Sequence, residues 1–382
     1  MTRPFFTGVL EDIAEGARMI ERTLGASWRE VGEMGGDPVR TRQGLVAACS
    51  VVLSTVLSLL IEVPDPWWAG ISGFMSLMST GSGSVRRGLL RMSGTIAGAV
   101  LGFIMARWLP YDHFALYLFL AATTMLGVIA MQVSPHGLSW LFMAITSTMV
   151  LLSCLNNPMT AFDVAFNRCF EVAIGVASAI IVANVLQEWH SEPPPQLPGW
   201  RHLLGAQWPA LLQGVRSAIS VVAVLQVWIW IDLPDVAEMV ITIAIVMSAP
   251  VLTGGLGSRR AVAERSLHRL MGCTIGGIAA LGCLALQVTS FPWWLAMIGA
   301  GVWMGMHVQV GKHGVGYVGT QAVIVFIVTM IQGPAPPESI MPGVDRFAGI
   351  LGGFAILMVV SLVLWPSDEK IAGSAAAGPA QR

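Results

Sequence analysis

Arginine followed by glycine three and seven positions later occurs twice, as Arg91/Gly94/Gly98 and as Arg269/Gly272/Gly276. On a helix these positions form one ridge, because residues three and four apart are neighbours. Small residues at that spacing let helices approach closely in lipid. The arginine heading each ridge admits two readings. In one it snorkels to the cytoplasmic headgroups and the ridge only packs. In the other a cation at a helix N-terminus, where the dipole is already positive, draws an anion. A guanidinium suits a carboxylate because its planar fork donates two parallel hydrogen bonds. Arg87 and Arg265 stand four residues before these arginines and join the same candidate anion-binding set.

A second constellation is Arg168 with Glu171, three apart near the start of an apolar run. At about 1.5 Å per residue, Glu171 lies on the order of 8–10 Å into its helix. An ionisable group at that depth is costly and faces a partner or a water-filled path. It is either a structural ion pair or a proton-coupling carboxylate. Arg346 recurs at the equivalent place beside Asp345, with Gly349 in place of the glutamate.

Other residues carry weaker signals. Glu238 reads as a snorkelling surface residue, and His307 and His313 with Lys312 as a solvated basic turn. Trp67/Trp68 and Trp293/Trp294 follow prolines where aromatic belts are expected. The stretch Gly81 to Gly98 hints at a phosphate loop but lacks the P-loop order, and reads instead as a turn running into a ridge. None of the five cysteines forms a C-x-x-C pair, so metal and disulfide chemistry are not expected. There is no G-x-S-x-G, H-E-x-x-H or D-F-G, so neither an enzyme nor a cofactor is expected.

These residues need membrane helices to hold them. Of 382 residues 55% are hydrophobic and 11% charged, with mean hydropathy +0.71. Soluble domains carry about 25% charged residues, so this chain belongs in a bilayer. A net charge of −1 argues against nucleic acid. The fold class expected is an all-α polytopic membrane protein of about twelve spans. These fall at 44–62, 67–80, 92–109, 114–133, 138–155, 166–187, 212–231, 236–253, 267–287, 291–310, 315–331 and 346–365.

The expected organisation is a cytoplasmic amphipathic segment (1–42), a six-helix unit (43–187), a cytoplasmic linker (188–211), a second six-helix unit (212–366) and a cytoplasmic tail (367–382). In the first segment Val9, Ile13, Ala17, Ile20, Leu24 and Trp28 recur at helical spacing, suiting a membrane-surface helix or a docking helix. An offset of 178 residues superposes Arg87, Arg91 and Arg168 on Arg265, Arg269 and Arg346. Upstream the offset shifts to 170, where Pro64-Asp65 meets Pro234-Asp235. Six spans per copy makes the copies parallel. Arg and Lys cluster on one side, placing both termini and the linker in the cytoplasm.

The run "PWWAGISGFMSLMSTGSGSVRRGLLRMSGTIAGAVLG", followed some seventy residues later by "FNRCFEVAIG", resembles the fusaric acid resistance and aromatic acid exporter family of bacterial inner-membrane proteins. The resemblance rests on Trp67/Trp68, Gly81 to Ser84, Arg87, Arg91, Gly94, Thr95, Gly98, Arg168 and Glu171. It implies proton-driven efflux of small aromatic organic acids across the inner membrane, sometimes with a periplasmic adaptor. On that view anions enter a cytoplasmic mouth lined by Arg91 and Arg269 and leave past Arg168 and Arg346, while Glu171 takes the coupling proton. A passive anion channel, or a scaffold in envelope or polymer assembly, is the alternative.

Overall fold

The computed structural model describes residues 5–77, 81–187, 199–203, 208–231, 236–248, 256–333 and 341–364. Among them lie thirteen α-helices: α1 (Phe5–Gly32), α2 (Pro38–Leu60), α3 (Pro66–Met75), α4 (Gly81–Met105), α5 (His113–Val133), α6 (Gly137–Ser153), α7 (Ala161–Leu186), α8 (Trp208–Ile231), α9 (Val236–Met247), α10 (Leu256–Ala285), α11 (Phe291–Gln309), α12 (Gly316–Met330) and α13 (Met341–Leu364). Among the described residues the fold is all-helical, and six of these helices are long and apolar enough to cross a membrane. Each of the twelve expected spans falls on one helix from α2 to α13. Most of the linker and the tail lie outside the described residues.

Two boundaries differ from expectation in the same way. α4 begins at Gly81 and α10 at Leu256, about eleven residues before the expected spans, so Gly81 to Ser84 form a helical turn and not a loop. Arginine is a good helix former, and an apolar window stops short of it although the backbone does not. Arg91 is therefore roughly 15 Å into its helix, beyond the reach of the N-terminal dipole.

The copies pack alike. α4 lies against α6 and α7, and α10 against α12 and, less extensively, α13; α3 joins α2 and α7 as α9 joins α8 and α13. Between copies, α2 packs on α11 and α5 on α8. α8 and α11 are the second-copy equivalents of α2 and α5, so this contact is self-complementary, as about a two-fold axis. Each large core mixes the halves. One gathers Val46, Phe74, Trp294, Ile298 and Ile327, the other Leu116, Leu120, Val224, Leu225 and Met239.

The ridges seen in the sequence set the closest approaches. A Cβ at Gly98 would strike the Met143 carbonyl of α6, and one at Gly276 the Ala322 carbonyl of α12. Only glycine permits that contact.

The N-terminal helix forms and docks. Glu30 is fully buried; its carboxylate accepts from Arg40 Nη1 at 2.8 Å and from the His313 backbone N–H at 2.6 Å, and lies 2.7 Å from His313 Nδ1. His313 is thus a partner of α1 and not part of a solvated turn, and His307 is wholly buried. Burial pushes the Glu30 carboxyl up, but the His313 and Arg40 hydrogen bonds and the Arg40 charge outweigh it and hold the group below its ordinary value. Ile20, Leu24, Trp28 and Val31 remain exposed along another face of α1.

Two outcomes follow. Gly276→Ala overpacks the α10–α12 contact and costs about 1–3 kcal/mol, whereas Gly282→Ala, with nothing within 4 Å of the added carbon, is neutral or stabilising by up to about 1 kcal/mol. Melting temperatures in detergent read the opposite signs. At the α1 latch, a carboxyl more acidic when docked adds to docking above its ordinary range and loses that share as pH falls through the docked value. Glu30→Gln removes it at neutral pH, costing on the order of 2 kcal/mol. Hydrogen exchange in 17–32 then speeds roughly thirty-fold, and the wild-type helix releases only below the usual carboxylate range.

Candidate functional site

Ten residues make α3 roughly 15 Å long, half of a hydrocarbon core about 30 Å thick. Asp65 and Pro66 start it, Pro66 sitting at a first-turn position where its missing N–H costs nothing. Its far end leaves carbonyls with no water to meet them. Each of the last four finds a partner. Ser72 O accepts from the Ser76 N–H and hydroxyl, Gly73 O from Ser50 Oγ of α2 at 3.0 Å, Phe74 O from the Leu77 N–H, and Met75 O from Arg87 Nε of α4 at 2.7 Å. α9 ends similarly, with Gln213 of α8 donating to Met247 O and Ser248 folding back on Ile245 O.

One turn beyond Arg87, Arg91 is 2% exposed. Its Nη2 donates to Ser72 Oγ at 3.1 Å, and its guanidinium lies 4.1 Å from the centre of the Phe142 ring. Its Nε has no partner, and among the described residues no carboxylate pairs with it. One turn before Ser72, the buried Trp68 also holds an unpartnered indole N–H. Arg269 is buried in the corresponding place on α10 with its Nε likewise unpartnered, but both of its terminal nitrogens are engaged. It donates to Thr242 Oγ1 at 3.1 Å, Gln321 Oε1 at 2.7 Å and Glu238 Oε1 at 2.9 Å. Glu238 is therefore a buried ion-pair partner and not a snorkelling surface residue.

At the opposite end of α3, Arg168 of α7 donates to Glu171 Oε2 at 3.0 Å and to Asp65 Oδ2 at 3.3 Å, and its guanidinium lies 4.3 Å from the centre of the Trp68 ring. Glu171 is 1% exposed, and its other oxygen accepts the Asp65 backbone N–H at 3.1 Å. This knot pins the start of α3 to α7, completing a frame of α2, α3, α4 and α7 around Arg91.

Residues 42–196 match the fusaric acid resistance protein family. The matched segment holds the whole of this frame. Curated relatives are similar over part of the same chain. The p-hydroxybenzoic acid efflux pump subunit AaeB of Edwardsiella ictaluri is 26% identical over 158 residues, covering 36% of this chain and 24% of the relative. Its counterpart in Edwardsiella tarda is 25% identical over 158 residues, with the same coverage. That of Salmonella paratyphi A is 22% identical over 149 residues, covering 35% of this chain and 22% of the relative. The match thus spans about a quarter of these relatives. No solved structure gives a significant match.

The candidate residues divide on this frame. Arg87, Arg91, Arg168 and Glu171 all bear on α3, the first two at its inner half and the last two at its start. Arg265 and Arg269 belong to the second copy, Arg265 lying with its guanidinium 4.3 Å from the centre of the Tyr317 ring. Arg91 and Arg269 occupy separate pockets, between α3 and α6 and between α9 and α12. Arg346 falls on α13, its side chain outside the described residues, as are those of Arg259 and Arg260 on α10. Ser72, Thr242, Trp68 and Gln321 escaped the sequence reading as site residues. The 170-residue offset was the available signal, since it places Ser72 on Thr242 and Trp68 on Glu238.

Proposed function

We propose that the protein exports small aromatic carboxylates across the bacterial inner membrane, and that the passenger carboxylate binds Arg91. The observation that carries this reading is a buried guanidinium with no carboxylate partner. Desolvating an unpaired cation costs several kcal/mol. The Phe142 ring returns about 2 kcal/mol or somewhat more but no counter-charge, so the site favours an incoming anion. A carboxylate takes two hydrogen bonds from the fork; Ser72 already touches the guanidinium, and the unpartnered Trp68 N–H belongs to the residue one turn before Ser72 on α3. Phe142, whose ring already faces the Arg91 guanidinium, is the aromatic neighbour of the site. The efflux-pump names of the relatives point to the same substrate class.

Coupling is assigned to Glu171. Its two oxygens are held by Arg168 and by the Asp65 N–H, at the first residue before α3. Protonation there removes one of the two negative charges facing Arg168, leaving Asp65, and loosens the start of the helix whose Ser72 touches Arg91. The proton and substrate sites thus share one short rigid element. A periplasmic adaptor is part of the proposal, as the partner that would carry the product onward.

Inside-out vesicles test the substrate site. Arg91→Ala lowers affinity for p-hydroxybenzoate at least a hundredfold, the loss of a charge-assisted pair of hydrogen bonds worth about 3 kcal/mol. Arg91→Lys, which keeps the charge but not the fork, falls in between. Wild-type uptake in a folded Arg91→Ala protein removes the anion site. For coupling, Glu171→Gln abolishes uptake driven by a pH gradient but preserves exchange of labelled for unlabelled substrate without a gradient. Equal loss of both makes the knot structural only.

A further inference from the structure

The two buried arginines share one geometry and differ in what faces them. Arg91 reaches Ser72, and Arg269 reaches Thr242, each at 3.1 Å, and the 170-residue offset superposes the two hydroxyl residues. In the second copy the same Nη2 that meets Thr242 also meets Glu238, one turn earlier on α9, while Nη1 meets Gln321. The first copy has Trp68 at the register of Glu238 and Met143 at that of Gln321. Where the second copy has a carboxylate, the first therefore has an indole whose N–H is a buried donor without a partner. One position supplies an anion, and its equivalent lacks one.

We infer that Glu238 is a built-in carboxylate filling, in the second copy, the position that the passenger carboxylate takes in the first. It rests on the Arg91 reading for the identity of that passenger. The chain then presents a single anion site, and the Arg269 pocket is a second carboxylate site kept closed by its own side chain. The Glu238 carboxylate also marks where the substrate carboxylate lies: on the side of Arg91 toward the start of α3, within reach of Trp68. Gln321 adds an acceptor to Arg269 that Met143 does not offer Arg91, so among the described residues Arg269 has three acceptors, one of them charged, where Arg91 has one neutral acceptor. Burial fits this division, since a guanidinium desolvated with its counter-charge in place needs nothing more from outside.

Removing the tether should open the second site. Equilibrium binding of radiolabelled benzoate to the full chain in nanodiscs is expected to give one site per chain in the wild type, lost in Arg91→Ala. Glu238→Ala is expected to give two, and Glu238→Ala combined with Arg269→Leu to return to one. Benzamide, which has the ring without the charge, should bind to none of the new sites. A Glu238→Ala count unchanged from wild type overturns the proposal while leaving the Arg91 reading intact. So does a wild type that already binds two, with one lost in Arg269→Leu. A wild type that binds none while Glu238→Ala binds one overturns the Arg91 reading and, with it, the equivalence of the two positions. Where Glu238→Ala folds poorly, benzoate and not benzamide should restore its yield. No rescue, with the double variant folding normally, counts against the proposal.

Discussion

A buried helix too short to cross a hydrocarbon core leaves carbonyls with nothing to bond at its end, and a guanidinium buried beside it has the opposite deficit. Setting one against the other resolves both, and the rest of this structure follows from that pairing. Arg87 on Met75 O closes the last carbonyl of α3, and Arg91 one turn on reaches back to Ser72. For those arginines to arrive, α4 must run continuously past the break and lie close to its neighbours. The Gly94/Gly98 ridge allows the second requirement by letting α4 meet the backbone of α6. The first explains why α4 is helical from Gly81, a stretch rich in glycine that propensity alone would leave as a turn. The buried hydroxyls of α2 belong to the same arrangement, since Ser50 closes Gly73 O and Ser54 sits against the same glycine.

The second set of six helices repeats the frame but not this closure: α9's last carbonyl accepts from Gln213, and Arg265 lies against Tyr317. The reciprocal packing of α2 on α11 and α5 on α8 makes each core a joint product of both copies. Neither half buries its apolar faces alone, so a change in one copy is felt by the other through shared core residues. Within that frame the copies differ in how much of the arginine they satisfy. They differ also at the far end of the short helix, where the Arg168–Glu171 knot has a glycine, Gly349, at the position of its acid in the second copy. Both changes fall on groups that touch the interrupted helix, and the packing contacts around them stay alike.

The sequence carried the architecture because architecture here is written in local signals. Apolar runs of membrane length mark the helices, and glycines at three- and four-residue spacing mark the ridges; both survive without knowledge of what lies opposite. The offset between copies was legible for a similar reason, since arginines are scarce in such a chain and three coincidences stand out. What escaped was long-range. Glu238 reads as a surface residue until Arg269, thirty-one positions on, is placed beside it. His313 reads as a solvated basic residue until Glu30, 283 positions away, closes on it. The start of α4 was misplaced because hydropathy treats a charged residue as an end to burial, when a partnered charge can continue inward. Arg91 was accordingly assigned a helix dipole that lies roughly 15 Å away, although its pull toward an anion survives on other grounds.

Those other grounds bear on how a carrier can work. A site that is satisfied when empty has no use for a ligand, and one that is badly unsatisfied when empty holds its ligand too long. The first copy sits between the limits: Phe142 faces the guanidinium and Ser72 accepts one hydrogen bond, so the empty state is tolerable, yet the counter-charge is missing. Exchanging a ring for a carboxylate is a modest gain, of the size that allows release. The second copy, with Glu238 and Gln321 in place, has no such cycle to run and gives the shared cores a fixed partner. On the export reading proposed above, only one of the two would need to move for a passenger to cross. The knot of Arg168, Glu171 and Asp65 lies on the copy whose arginine lacks a carboxylate, so the proton proposed for Glu171 would act on the same ten-residue helix that presents Ser72 to Arg91.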